Sequence, residues 1–187
     1  MGNKGLLVLF SGPSGVGKDT VLDVVLKKNS ELQKSVSLTT REIRENEIEG
    51  KDYYFISVPE FKNMIEQGNV LEYAKYGENL YGTPKAPVDR WLEQGKTVIL
   101  KIEVQGAENI KKIYPDSVAI FLMPPSMEEL EKRLRSRGTE DETDILKRLE
   151  IAKNEIEKSK NYDYFVINDD IDNASDEVIS ILKSLNI

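Results

Sequence analysis

The chain has 187 residues, 39% of them hydrophobic, which is enough for one compact domain with its own buried core. It contains no cysteine and no histidine, and this excludes disulfides, thiolate metal sites and the commonest general base. The formal net charge of -7 disfavours nucleic-acid binding, and no apolar run is long enough to span a bilayer. We therefore expect a cytoplasmic protein without a secretion signal, acting on small molecules and not on nucleic acids or membranes.

Short apolar runs that alternate with segments of helical periodicity predict an α/β fold. Residues 6–10 form the first predicted strand, and a glycine-rich segment and a helix follow it. Further strands are predicted at residues 97–102, 118–123 and 164–168. This alternation predicts a parallel sheet flanked by helices on both faces.

Two segments interrupt this alternation. Residues 35–87 carry a turn at Glu49-Gly50, a strand candidate at 53–56 and a short helix at 59–67, which predicts an inserted α+β lobe. Residues 126–150 form a predicted small helical lid, whose first helix begins at a capping box made by Ser126 and Glu129. The core then comprises residues 1–34, 88–125 and 151–187, with a last helix near residues 174–185.

The glycine-rich segment after the first strand fits the pattern G-x-x-x-x-G-K, in the strand–loop–helix context that makes this pattern credible. Glycines let successive N–H groups turn toward phosphate oxygens, the lysine reaches the β- and γ-phosphates, and the helix N-terminus adds a favourable dipole. The sequence therefore predicts a nucleoside triphosphate site. Its residues are Gly12, Pro13, Ser14, Gly15, Val16, Gly17 and Lys18.

The residue after this loop departs from the full pattern. Asp19 stands where the pattern has a serine or threonine that contacts Mg²⁺, and Thr20 follows it. A carboxylate at this position binds the metal directly, binds it through water, or faces solvent. We keep Asp19 and Thr20 as candidate ligands of Mg²⁺.

A second anion site is indicated between residues 35 and 44. Arg41 and Arg44 lie among four hydroxyl side chains, a composition suited to a phosphate monoester, although an exposed charged turn has the same composition.

Motifs along nearly the whole chain resemble those of guanylate kinase. They are the phosphate loop, Thr39-Thr40-Arg41 with Arg44, Gly50-Lys51-Asp52-Tyr53, Tyr81-Gly82-Thr83, Val104-Gln105-Gly106, Arg137-Gly138-Thr139 and Asn168-Asp169-Asp170.

The resemblance implies a phosphate-loop NTPase core with a GMP-binding lobe and a lid. It implies that the phosphate of GMP is held by Ser37, Arg41, Arg44, Tyr53 and Tyr81. It also implies that guanine is read by Glu72, Thr83 and Glu103, which agrees with guanine's donors facing acceptor carboxylates.

The strand end near Glu103 leaves an alternative open. An acid there also suits the Mg²⁺-organising carboxylate of phosphate-loop ATPases, but Val104-Gln105-Gly106 favours guanine readout. The family often has an acid at position 101, whereas this chain has Lys101, for which we expect a neighbouring acid as partner and no role in the site.

The lid resemblance assigns Arg137, Arg148 and Arg133 to the transferring phosphate, with Lys18 and Arg41 also taking part in catalysis. Arg135 is expected to be a solvated surface residue. Asn168 resembles a contact to the adenine of ATP, and a simple turn that begins the last helix is the equal alternative.

The sequence thus predicts an enzyme of purine metabolism that phosphorylates GMP with ATP and Mg²⁺, as a monomer or weak homodimer. Phosphoryl transfer depends on positioning and charge neutralisation, so the absence of histidine is no obstacle. A noncatalytic binding module is disfavoured by the intact phosphate loop. A GTPase switch is disfavoured because the chain has no Asn-Lys-x-Asp motif.

Overall fold

The computed structural model describes residues 5–136 and 141–185. Within these ranges, nine strands and seven α-helices form the fold. The strands are β1 (Leu7–Ser11), β2 (Gln33–Lys34), β3 (Ser37–Thr39), β4 (Tyr53–Phe55), β5 (Val70–Tyr76), β6 (Asn79–Pro84), β7 (Val98–Lys101), β8 (Val118–Met123) and β9 (Tyr164–Ile167). The helices are α1 (Lys18–Lys28), α2 (Val58–Glu66), α3 (Lys85–Glu93), α4 (Val104–Ile113), α5 (Met127–Ser136), α6 (Glu142–Lys158) and α7 (Ile171–Ser184).

Five strands form the predicted parallel sheet, in the order β2-β7-β1-β8-β9. In the pairing of β1 with β7, Phe10 lies opposite Lys101, so both strands end at the same edge. Ligands of open α/β sheets bind at the carboxyl ends of the strands. The glycine-rich loop leaves β1 at this edge.

Both faces of β1 are buried, which explains its continuous apolar run. Val8 and Phe10 pack against α1 and α7, whereas Leu7 and Leu9 pack against α3 and α4. The prediction of a parallel sheet with helices on both faces is confirmed.

A second sheet lies within the segment predicted as an insertion. Its order is β4-β3-β6-β5, and β5 and β6 form an antiparallel hairpin whose turn contains Gly77 at φ 60°. The sequence predicted β4 and α2 but not β3, β5 and β6. These strands mix polar and apolar residues without a regular alternation, as in the sequence VLEYAKY of β5, and this hides them from a search for strand periodicity.

The helices α5 and α6 pack on each other through one apolar cluster. Leu130 and Leu134 of α5 meet Ile145, Leu149 and Ala152 of α6. Ser126 caps α5, since its Oγ accepts the N–H of Glu129 at 3.2 Å. The boundaries of the core, the inserted lobe and the lid stay predictions.

The last helix begins earlier than its predicted start at residue 174. The carboxylate of Asp170 accepts the N–H of Asn173 at 3.0 Å and so caps α7 one residue before Ile171.

Among the helices of the described ranges, none is long and apolar enough to cross a membrane.

Candidate functional site

The glycine-rich loop connects β1 to α1 at the carboxyl edge of the parallel sheet. Gly15 and Gly17 have φ angles of 90° and 97°, in the left-handed region that glycine tolerates best. A Cβ on Gly15 would lie 2.6 Å from Cδ2 of Leu134, so the loop packs closely against α5. Strand, loop and helix therefore follow in the predicted order.

The ammonium of Lys18 turns back over this loop. It lies 2.5 Å from the carbonyl oxygen of Gly12 and 3.1 Å from that of Pro13. Burial lowers the pKa of Lys18, and the carboxylate of Glu155 opposes that effect most strongly. A cation held in this partly desolvated position attracts anions more strongly than one in open water.

Three side chains from other elements contact the loop or its support. The amide nitrogen of Asn168 donates to the carbonyl of Val16 at 2.7 Å, and Arg148 Nη1 lies 3.2 Å from Ser14 Oγ. Arg133 Nη2 donates to the carbonyl of Asn168 at 3.0 Å. The structure thus brings the predicted residues Asn168, Arg133 and Arg148 to the phosphate loop.

Asp19 and Lys101 form an ion pair beside the mouth of the loop. The Asp19 side chain is 67% exposed and that of Lys101 only 25%. Burial alone would raise the pKa of Asp19 and lower that of Lys101, but the partner's charge, the hydrogen bond between the two and other nearby charges together outweigh burial, so the pKa of Asp19 is lowered and that of Lys101 raised. The acid expected beside Lys101 is therefore Asp19. Thr20, the other candidate metal ligand, is exposed.

The predicted guanine-reading residues meet between β5, β6 and α4. Glu72 and Thr83 are opposite each other in the hairpin, and Thr83 Oγ1 donates to Glu72 Oε1 at 2.7 Å. Burial raises the pKa of Glu72, and the carboxylate of Glu103 raises it further. A Cβ on Gly106 would lie 2.7 Å from Glu72 Oε2, so α4 approaches this carboxylate closely.

The predicted phosphate-monoester residues also gather in the second sheet. The Arg41 guanidinium lies 5.6 Å from the ring centre of Tyr53, and this ring is 5.9 Å from that of Tyr81. Ser37 stands opposite Tyr53 in the pairing of β3 with β4. The side chain of Arg44 is exposed.

Two acids near these sites were not found from the sequence. Glu47 accepts from both terminal nitrogens of Arg41, at 2.9 and 2.6 Å, and from the N–H of Arg44 at 2.9 Å. Glu155 lies close enough to Lys18 to affect its pKa, and its own pKa is raised by burial. Glu155 follows Arg148 by two helical turns, a spacing that was visible in the sequence, whereas nothing marked Glu47 among its acidic neighbours.

The remaining predictions concern two arginines near the end of α5 and the metal ligands. Arg137, predicted to be catalytic, lies outside the described residues. Arg135 forms exposed ion pairs with Glu131 and Glu142, as expected for a solvated residue. Among residues 5–136 and 141–185, no group of three or more acidic side chains is placed to hold a metal by itself.

Comparison with known proteins gives one consistent family. The sequence profile of the guanylate kinase family matches residues 4–185. A guanylate kinase of Clostridioides difficile is 49% identical over 181 residues, covering 97% of this chain and 88% of the relative. One from Synechocystis sp. is 45% identical over 179 residues, covering 96% and 94%.

The fold agrees with this result. The crystal structure of guanylate kinase from Anaplasma phagocytophilum superposes with a TM-score of 0.79 at 34% identity, covering 98% of this chain and 87% of that one. The match includes both the parallel sheet and the segment that carries the second sheet, because it extends over nearly the full chain. The chain therefore belongs to the guanylate kinase family.

Proposed function

We propose that ATP binds at the phosphate loop and GMP at the second sheet, so that the two substrates meet beside the end of β7. Membership of the family makes the protein a nucleoside monophosphate kinase, which converts ATP and GMP to ADP and GDP. One observation carries the division into two sites: β7 ends beside β1 and the loop, and the helix α4 that follows it approaches Glu72 of the second sheet at Gly106. Glu103, at the start of α4, therefore lies between the loop and the acceptor cluster.

Guanine is read by acceptors that are already in place. Glu72 Oε1 accepts a hydrogen bond from the Thr83 hydroxyl, and Gly106, which has no side chain, leaves room for Oε2. Guanine offers N1–H and an N2 amine, a donor pair that adenine lacks. Because a site built on hydrogen bonds rejects an analogue that leaves its polar groups unpaired by about 10⁴ to 10⁵, AMP is a poor substrate.

The phosphate of GMP binds where Arg41 packs beside Tyr53 and Tyr81, with Ser37 and Arg44 completing the site. Arg41 supplies a planar fork of donors, and the two phenols supply hydroxyls from β4 and β6, the strands on either side of β3. The guanidinium stays protonated, because its hydrogen bond to Glu47 raises an already high pKa. This cluster binds a monoester and leaves the nucleobase to Glu72, Thr83 and Glu103.

Transfer from ATP relies on cations and needs no strong base. Lys18 and the loop N–H groups bind the donor phosphates. Arg148 of α6 contacts Ser14 of the loop, and Arg133 of α5 contacts Asn168, which supports the loop. Arg137 is assigned to the same task by the family motif alone. These groups neutralise the charge on the transferring phosphoryl group and hold it in line with its acceptor.

Mg²⁺ is proposed as the cofactor, with Asp19 or Thr20 as its protein ligand. Mg²⁺ in kinase sites usually has one or two carboxylates, with substrate phosphates and waters as its other ligands, and one carboxylate at the loop mouth fits that pattern. Oδ1 of Asp19 is bonded to Lys101, so the other carboxylate oxygen is the one suited to the metal. Held there, the metal would supply positive charge that offsets the negative charge of the transferring phosphate.

A cytoplasmic location, a role in purine metabolism and a monomeric or weakly dimeric state stay predictions. Size-exclusion chromatography with light scattering measures the last of these directly.

The test is an ADP-formation assay with ATP and, separately, GMP, AMP, CMP or UMP. We expect turnover with GMP to exceed that with the other three by orders of magnitude. Equal turnover with all four would contradict the proposed guanine site. In parallel, Lys18→Ala should abolish transfer while GMP binding, measured by calorimetry, is retained, because the two substrates occupy different sites.

A further inference from the structure

We propose that Lys101 is a second polyphosphate-binding cation of this enzyme, and that Asp19 positions its ammonium at the phosphate loop. The inference builds on the proposed ATP site at residues 12–18. It assigns a ligand contact to a strand residue that lies outside the glycine-rich motif.

The topology places Lys101 next to the loop. It is the last residue of β7 and pairs with Phe10 of β1, two positions before Gly12. Its side chain leaves the strand at the sheet edge where the loop begins, and its ammonium bonds Asp19 in the first turn of α1. The pair therefore joins β7, the strand beside β1, to the first turn of α1, which follows the loop.

The exposure of the two partners is unequal in a way that suits this role. The carboxylate of Asp19 is mostly in solvent, whereas the Lys101 side chain is 25% exposed. Partial burial removes water from the ammonium, and this strengthens its attraction for an anion that binds beside it.

The charges beside the loop indicate an anion as the ligand. The ammonium of Lys18 contacts the carbonyl oxygens of Gly12 and Pro13, and that of Lys101 is held by the next residue along α1, Asp19. Two lysines are therefore held on either side of residue 19, beside the mouth of the loop. A polyphosphate bound there would offset the positive charge of both.

The donor count leaves room for such a contact. An ammonium has three N–H donors. Within the described residues, the side-chain hydrogen bond of Lys101 is the one to Asp19, which uses one of these donors. Lysine acts as a point charge toward phosphate and needs no fixed fork geometry. Asp19 fixes where that charge sits and leaves the remaining donors for phosphate oxygens.

The chain offers a matched control in Lys34. It lies on β2, the neighbour of β7, and pairs at 4.0 Å with Asp23, one turn further along α1. The exposures of the two side chains, 29% and 60%, are close to those of Lys101 and Asp19. Lys34→Gln removes the same charge from the same sheet face without touching the loop.

The experiment is calorimetry of ADP binding in EDTA, so that no metal contributes. We expect Lys101→Gln to weaken ADP binding about tenfold, Lys101→Arg to retain most of it, and Lys34→Gln to change it by less than about twofold. Thermal unfolding of each variant verifies that it is folded. An equal affinity for Lys101→Gln and Lys34→Gln would overturn the proposal.

Lys18→Ala separates this inference from the proposed function. Loss of ADP binding in Lys18→Ala with normal binding in Lys101→Gln would keep the ATP site and reject Lys101 as its ligand. If the wild-type protein bound no ADP, the proposed ATP site would fail first, and the Lys101 contact with it.

Discussion

Glu47 holds the guanidinium of Arg41 end on, with its two oxygens 2.9 Å from Nη1 and 2.6 Å from Nη2. The hydrogen bond from Arg41 lowers the pKa of Glu47, so the carboxylate stays ionised at neutral pH. The Nε edge of Arg41 is not used by Glu47. Glu47 thereby orients the arginine that we assign to the phosphate of GMP.

Replacing Glu47 with glutamine should weaken GMP binding. An amide presents only one acceptor and points an NH₂ group at the guanidinium, so Arg41 loses its fixed orientation. We expect KM for GMP to rise about tenfold, since a small misplacement of a positioning group is costly, with KM for ATP little changed. Glu45→Gln, at an exposed neighbouring position, is the control, and equal values for both variants would contradict the assignment.

Replacing Glu72 with glutamine should increase the free energy of unfolding and weaken GMP binding. The folded-state pKa of Glu72 is raised by burial and then by Glu103, so its ionisation at neutral pH disfavours the folded state. The variant should therefore be more stable than the wild type at pH 7, and this advantage should vanish below about pH 4, where the unfolded-state carboxyl is protonated as well. Urea unfolding at several pH values measures it.

The same variant tests guanine recognition. Glutamine still accepts the Thr83 hydroxyl but offers one acceptor fewer to the nucleobase, so GMP affinity should fall by about 10- to 100-fold. A variant that is more stable but binds GMP normally would show that Glu72 does not read guanine.

Gly106→Ala tests the close approach of α4 to Glu72. Alanine normally stabilises a helix by about 0.5 to 1 kcal/mol relative to glycine. Here the new Cβ would lie 2.7 Å from both Glu72 Oε2 and Cγ1 of Ile102, so the carboxylate must shift. We expect calorimetry to show weaker GMP binding and unchanged ADP binding. Gln105→Ala, at an exposed position of the same helix, should change neither affinity.

Asn168→Asp should destabilise the phosphate loop. The substitution keeps the side-chain shape but replaces the donor to the Val16 carbonyl with an oxygen at a buried position. Leaving a buried group unpaired costs about 1 to 3 kcal/mol, and more when it is charged, so the free energy of unfolding should drop by about that amount and ADP binding should weaken. Asn154→Asp serves as control, because it removes an exposed hydrogen bond of 3.0 Å from the side-chain amide to the backbone carbonyl of Glu150. Equal stability losses in the two variants would contradict a supporting role for Asn168.

Much of the parallel core was readable because its signals are local. Burial on both faces makes β1 and β8 continuous apolar runs, and helix α5 carries its own cap at Ser126. The second sheet was largely missed, since β5 and β6 mix polar and apolar residues and lack the regular alternation that marks a half-buried strand.

The sequence by itself determined the parallel α/β core, the glycine-rich loop and the residue types proposed for both substrate sites, because spacing along the chain encodes local conformation and chemistry. Only the tertiary structure decided which charges meet. The ion pair of Asp19 with Lys101 and the approach of Glu155 to Lys18 depend on how strands and helices are brought side by side, whereas the ion pair of Arg41 with Glu47 depends on the path of the loop between β3 and β4. Charges act through space, and residues far apart in the sequence, such as Asp19 and Lys101, carry no mark of each other in the chain.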